Sequence, residues 1–147
     1  MANKKILVVM GGNSREREIS LKTGNACINA IKKLGYKIQI FDPKKKSFFN
    51  IIKENSDIIF NALHGEEGED GYAQSFFEYS KKPYTHSGVI SSMNAMNKLI
   101  SKKIFIKNKI KTPKYCIIKK KNYTFSKLKK ILKLKKLKYP LVVKPNS

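Results

Sequence analysis

Cysteine is scarce in this sequence. Cys27 and Cys116 stand far apart and form no CxxC pair. That count excludes a disulfide scaffold and makes a reducing cytoplasm the expected compartment. Long apolar runs are missing too. None approaches the ~18 residues a bilayer-spanning helix needs, so no membrane is expected among the partners. The opening MANKKILVVMGG is basic and then apolar, but it lacks a small-residue cleavage site and runs at once into Gly11-Gly12. It reads as a first strand and not as a signal peptide. Several chemical motifs are also absent. The run Met10-Gly11-Gly12-Asn13-Ser14 does not complete GxGxxG, and there is no GxxxxGK(S/T), no HExxH and no GxSxG. The two histidines, His64 and His86, form no metal-ligand cluster with such spacing.

Acidic residues are the most unevenly missing class. All ten lie at or before Glu78, and residues 79–147 carry lysine and no acid. The formal net charge is +22, and only Arg15 and Arg17 are arginine. A basic half points first to nucleic acid or another polyanion. Specific readers of nucleic acid rely on the planar fork of arginine, which is nearly absent here. The lysines therefore read first as compositional drift over solvated faces, with polyanion binding and an acidic partner surface as the alternatives and no specific nucleic-acid partner expected.

What is present is enough for a core. The 147 residues are 41% hydrophobic and 29% charged, which suits one domain or a domain and part of another. Residues 5–10 are a continuous apolar run, as in a strand buried on both faces of a parallel sheet. Residues 19–34 have helical spacing, with Ile19, Ala26, Ala30 and Leu34 on the apolar side and Gly35 as the C-cap. Residues 36–41 predict a second strand stopped by Asp42-Pro43. Residues 48–53 predict a short amphipathic helix, and 57–63 a third buried strand. This alternation predicts a doubly wound parallel α/β sheet.

A loop with three glycines and four carboxylates follows at 64–71, a composition that excludes it from the core. Helices are predicted over 72–79 and, as one longer element, over about 91–107, ended by Thr112-Pro113. Beyond that, 115–118 and 141–144 predict strands. Residues 125–137 predict a helix with Leu128, Ile131, Leu132 and Leu137 on its apolar side. The expected division is 1–111 as one domain and 112–147 as the beginning of a second, whose 36 residues are too few to bury a core alone.

In open α/β sheets ligands bind beyond the carboxyl ends of the strands. Two loops meet that description: residues 11–18 after the first strand and His64 with the acidic loop after the third. Taken alone, Glu16 or Glu18 complements a helix dipole, and a lone histidine is structural. Two such loops on one rim point to a site.

These segments resemble one family in order and in register. Residues 11–21, GGNSREREISL, resemble the GGxSxEREVSL opening of D-alanine:D-alanine ligases. Residues 64–71, HGEEGEDG, match HGxxGEDG, and Gln74 with Glu78 matches the helix after it. Residues 83–89 match PYTGSGV. Met96, Lys98 and Lys102 match MDKxxxK, and Thr112-Pro113 and Val143-Lys144-Pro145 match TP and VKP. The resemblance implies an ATP-grasp ligase of bacterial cell-wall synthesis. Its N-terminal, pre-ATP-grasp domain would be followed here by the incomplete start of an ATP-grasp central domain. It also implies a reaction: ATP phosphorylates the carboxylate of one D-alanine, and the amine of a second attacks the acyl phosphate. Glu16 would hold the first ammonium by a charge-assisted hydrogen bond. His64 would face the reacting carboxylate. Ser20 would count with Glu16 and His64 among the substrate-binding residues, capping or bracing the first loop rather than reacting. Lys98 and Lys144 would neutralise ATP phosphates. The resemblance further implies ATP and Mg²⁺ as cofactors and a homodimer for the complete enzyme.

Three positions depart from the pattern: His86 stands for a glycine, Asn97 for an aspartate and Ser75 for a glycine. Histidine tolerates a left-handed backbone better than most residues. The family's later elements, which carry the Mg²⁺ carboxylates and most of the adenine pocket, have no counterpart in these residues. The expectation is therefore a family fragment, inactive alone, with a C-terminal half on a separate polypeptide as a candidate partner. Two other readings stand beside it: a non-catalytic module that binds a small molecule or a subunit, and a basic nucleic-acid-associated protein.

Overall fold

Three short apolar runs build the sheet. They are β1 (Lys5–Val9), β2 (Lys37–Phe41) and β3 (Ile58–Asn61). All pair in parallel in the order β2-β1-β3, with Val8 opposite Ile40 on one side and Phe60 on the other. Tyr84 adds an isolated parallel bridge to Ile59. This is a computed structural model, and it describes residues 4–119 and 124–146.

Strand alternation divides β1 between two cores. Leu7 and Val9 pack with Phe41, Ile59 and Leu63. On that face lie the 3-10 helix Phe48–Lys53, through Phe48 and Ile51, and α2 (Tyr72–Tyr79), through Ala73 and Phe77. Val8 and Met10 pack on the other face with Ala62 and with Ile28 and Ile31 of α1 (Arg17–Lys33). Helical elements thus cover both faces, as expected of a doubly wound sheet. Gly35, at φ +80°, ends α1 by donating its N–H to the Lys32 carbonyl.

The inner face of α1 differs from the expected one. Ile19, Ala26, Ala30 and Leu34 are exposed, and Ser20, Gly24, Ile28 and Ile31 are buried. The cause is close approach. A Cβ on Gly24 would fall 2.6 Å from the Met10 Sδ, so only glycine lets the helix lie this near the sheet. Small and polar residues occupy positions that apolar spacing assigns to bulky ones.

The single helix expected over 91–107 is two, α3 (Val89–Met96) and α4 (Lys98–Lys107). Asn97 leaves helical geometry with ψ 102°. No glycine or proline marks that break, so periodicity runs through it.

Two compact units make up the molecule, Met1–Asn97 and Lys98–Ser147. The second contains α4 and α5 (Phe125–Leu134). Thr124 caps α5 by accepting the Lys127 N–H at 3.3 Å, and Leu132 is buried. Residues 115–118 and 141–144 are not strands. A strand exists through its ladder of hydrogen bonds, and neither segment has a ladder partner among the described residues. Among those residues no helix is long and apolar enough to cross a membrane.

Candidate functional site

The site begins where β1 ends. Gly11 and Gly12 both adopt positive φ, +90° and +74°. The turn they make is pinned from three directions. Gly11 donates its N–H to the Ser20 hydroxyl at 2.8 Å, and that hydroxyl donates to the Ala62 carbonyl at 2.7 Å. Ser20 is fully buried, so its oxygen braces the first loop against the end of β3. Arg17 donates to the Gly12 carbonyl at 2.9 Å and forks onto Asp42 at 3.0 and 2.7 Å. Asp42 also accepts the N–H groups of Gly12 and Lys44, each at 3.0 Å. The Arg17 hydrogen bond, aided by those N–H groups against the opposing effect of burial, holds the Asp42 carboxyl down at about 2.

Ser14 links this turn to the loop after β3. Its hydroxyl accepts the Glu16 N–H at 3.0 Å and donates to the His64 carbonyl at 2.7 Å. Glu16 directs its carboxyl group to the same place. A Cβ added to Gly65 would lie 3.4 Å from both the Glu16 Cδ and the Ser14 Oγ. Gly65 itself has φ +70°. Glu16 and His64, singled out separately by sequence, therefore stand on adjoining loops at one rim of the sheet. The His64 Nε2 is 3.1 Å from the Thr23 hydroxyl, and its Nδ1 is 3.7 Å from the Glu69 carboxylate.

The acidic loop is less external than its composition suggests. Gly65, Gly68 and Gly71 are buried, and a Cβ on Gly68 would fall 2.5 Å from that of Leu63. Two of its carboxylates serve the loop's own backbone. Glu69 accepts the Gly65 N–H at 2.9 Å, and Asp70 accepts those of Glu67 and Tyr72 at 2.9 and 3.0 Å. Buried amides finish the work: Asn61 and Gln74 both donate to the Gly68 carbonyl, at 3.0 and 2.8 Å. Glycine content brings the loop inward, because its backbone can lie where a side chain would clash.

The departures have visible settings. His86 has φ +78°, the left-handed backbone that a glycine takes freely. With Glu69, Gln74 and Ser87 it lines a small open cavity of about 110 Å³. Ser75 is exposed on α2 and donates to the Tyr72 carbonyl at 2.7 Å. Asn97 ends α3. Nearby, Glu78 accepts from the Tyr84 hydroxyl at 2.9 Å and from the Val89 N–H at 3.2 Å. Burial, and then this carboxylate, push the Tyr84 phenol up to about 12.

In the second unit, Lys98 and Lys144 are both exposed. Asn146 receives the N–H groups of Lys98 and Leu99, each at 3.0 Å, through its carbonyl and side-chain oxygens. The segment that carries Lys144 thus reaches the first turn of α4, where Lys98 sits.

Sequence reasoning singled out Glu16, His64, Ser20, Lys98 and Lys144. It missed Ser14, Thr23, Asp42 and Asn61. Ser14 lay inside a matched motif, and its place two residues before Glu16 was the available signal. Asp42 was read only as the end of a strand, because nothing local connects it with Arg17, 25 positions earlier.

A parallel α/β sheet with helices on both faces and two loops joined at the carboxyl ends of its strands defines the class, a unit of doubly wound type. No family model matches the chain. Curated relatives do. A D-alanine–D-alanine ligase of Pelagibacter ubique is 56% identical over 144 residues, covering 97% of this chain and 46% of that protein. One from Buchnera aphidicola is 38% identical, covering 98% and 47%. Among solved structures, the Bacillus anthracis D-alanine–D-alanine ligase complexed with ATP has a TM-score of 0.77 at 37% identity, covering 98% of this chain and 48% of that one. The chain belongs to the D-alanine–D-alanine ligase family and matches the N-terminal portion of its members. It spans about half the length of the curated relatives it matches.

Proposed function

We propose that this chain is the part of an ATP-dependent D-alanine–D-alanine ligase that anchors the first D-alanine. The supporting observation is the junction of the two loops, where the Glu16 carboxyl group lies against Gly65, next to His64. Glu16 is exposed and free to take an ammonium group by a charge-assisted hydrogen bond. An α-amino acid held there would present its carboxylate to the neighbouring loop. The His64 ring, steadied by Thr23, would donate to that carboxylate as its charge changes. Ser20 supports this arrangement by bracing the backbone of Gly11 against that of Ala62.

ATP is the second substrate in this reading, and when bound it supplies the phosphoryl group that activates a carboxylate for amide formation. Lys98 and Lys144, exposed on segments joined through Asn146, fit a polyphosphate as two point charges. Mg²⁺ does not fit. The described residues hold no group of three His, Cys, Asp or Glu side chains suited to a metal. Glu69 and Asp70 are engaged on loop N–H groups. No step through a metal is assigned to this chain. The reading also carries a cytoplasmic location, and a C-terminal portion of the enzyme and a second copy as partners. It keeps residues 1–111 as the D-alanine-anchoring domain and 112–147 as the start of the ATP-binding one.

The test joins this chain, in frame after Ser147, to the complementary portion of the Bacillus anthracis relative. The fusion should release ADP in the presence of D-alanine, and Glu16→Ala should remove most of that release, because positioning a substrate supplies much of the rate. Full turnover by the Glu16→Ala fusion would defeat the proposal.

A further inference from the structure

The two loops of the site are joined by one hydroxyl group. Ser14 Oγ accepts from the Glu16 backbone N–H and donates to the His64 backbone carbonyl, so its strong donor and one of its acceptor positions are both used. It is partly buried, and Gly65 keeps the space beside it free of any side chain. Glu16 and His64 are 48 residues apart in the sequence and belong to different loops. Each loop has its own anchors: Arg17, Asp42 and Ser20 for the first, Glu69, Asn61 and Gln74 for the second. Ser20 also ties the first loop to Ala62 at the end of β3, and the other anchors fix each loop separately. Ser14 is the contact that binds the backbone of one reactive residue directly to that of the other.

We propose that Ser14 is a positioning residue that sets the separation between the ammonium anchor Glu16 and the carboxylate partner His64. It thereby makes the site selective for a ligand carrying both groups. The inference rests on the reading of Glu16 and His64 given above. An ammonium alone needs only Glu16. An α-amino acid needs both loops at the spacing of its own two charged groups, and a small shift between them removes the second contact while leaving the first. Ser14→Ala removes both hydrogen bonds and leaves the separate anchors in place.

The measurement is an NMR titration of the 147-residue protein with two probes, D-alanine and ethylamine, the second carrying the ammonium without the carboxylate. In the unaltered protein, D-alanine should shift the Glu16 and His64 resonances and bind more tightly than ethylamine. Losing a charge-aligning hydrogen bond is typically a tenfold effect, so Ser14→Ala should weaken D-alanine about tenfold and ethylamine by less than about twofold. Ser14→Thr, which keeps the hydroxyl, should retain the preference for D-alanine. Should the alanine variant not fold, Ser14→Cys keeps the size, loses the strong donor and should show the same selective loss. Equal weakening of both probes would mean a general structural role and would overturn the proposal, as would an unchanged D-alanine affinity or loss of the preference in a folded Ser14→Thr variant. If D-alanine leaves Glu16 and His64 unshifted in the unaltered protein, the underlying reading fails and takes this one with it. A normal D-alanine response that Ser14→Ala does not alter defeats this inference alone.

Discussion

The two units of this protein use the same kinds of residues to different effect. Of the 15 buried apolar residues among those described, 14 lie before Asn97, and Leu132 alone belongs to the second unit. The second unit has apolar residues in plenty, but Ile106, Ile110, Ile117, Phe125, Val142 and Val143 are all more than half exposed. Charge divides in the same way. Every ion pair found among the described residues joins partners before residue 70, and no acidic residue exists after Glu78. The first unit has a central strand with a neighbour on each side, so every inward side chain meets another layer. The second has helices with no sheet among its described residues to cover. Apolar content does not make a core; a shared surface to bury against does.

The largest effect should come from the densest packing. Phe77 is fully buried under the sheet, and Phe77→Ala should lower stability by about 3–5 kcal/mol in urea unfolding. Leu132→Ala, in the sparser unit, should cost less than about half of that, because few neighbours lose contact there. Equal losses would erase the contrast between the units.

Acid should separate them next. The Asp42 carboxyl is lowered from its ordinary 3.8 to about 2, so its pairing with Arg17 contributes stability above pH 3.8 and loses it as the pH falls towards 2. Unfolding of the first unit followed between about pH 5 and 2 should show this loss, and Asp42→Asn should remove that part of the pH dependence. The second unit contains no carboxylate side chain and should lack any such transition.

A smaller effect is expected at His86. Its left-handed backbone costs about 1–2 kcal/mol in a residue bearing a Cβ. His86→Gly relieves that strain but frees the unfolded chain, so a net gain of at most about 1 kcal/mol in thermal unfolding is expected. A marked loss would show that the imidazole makes contacts that outweigh its strain. Smallest of all, Lys22→Ala on the exposed side of α1 should change stability by less than about 0.5 kcal/mol, which calorimetry would check.

Much of this was legible beforehand. The strands at 5–10, 36–41 and 57–63, the helix at Tyr72–Tyr79 and the stop at Gly35 carry local signals, and each appears in the structure close to its expected place. Glu16 and His64 were marked by motif, and the left-handed turn at His86 by the glycine it replaces. The failures share a cause. The buried face of α1, the break at Asn97 and the unformed strands at 115–118 and 141–144 depend on what lies opposite, and periodicity reports only the element itself.

By itself, then, the sequence determined the parallel α/β order of the first unit, the family and which two loops to compare, because apolar period, turn glycines and contiguous motifs are local properties of a polypeptide. Only the tertiary structure decided that Gly24 and Ser20, not Ile19 and Leu34, face the sheet, that Arg17 closes on Asp42, and that Ser14 ties Glu16 to His64. Those are pairings over 14 to 50 residues, fixed by close approach and by the need to satisfy buried hydrogen-bonding groups.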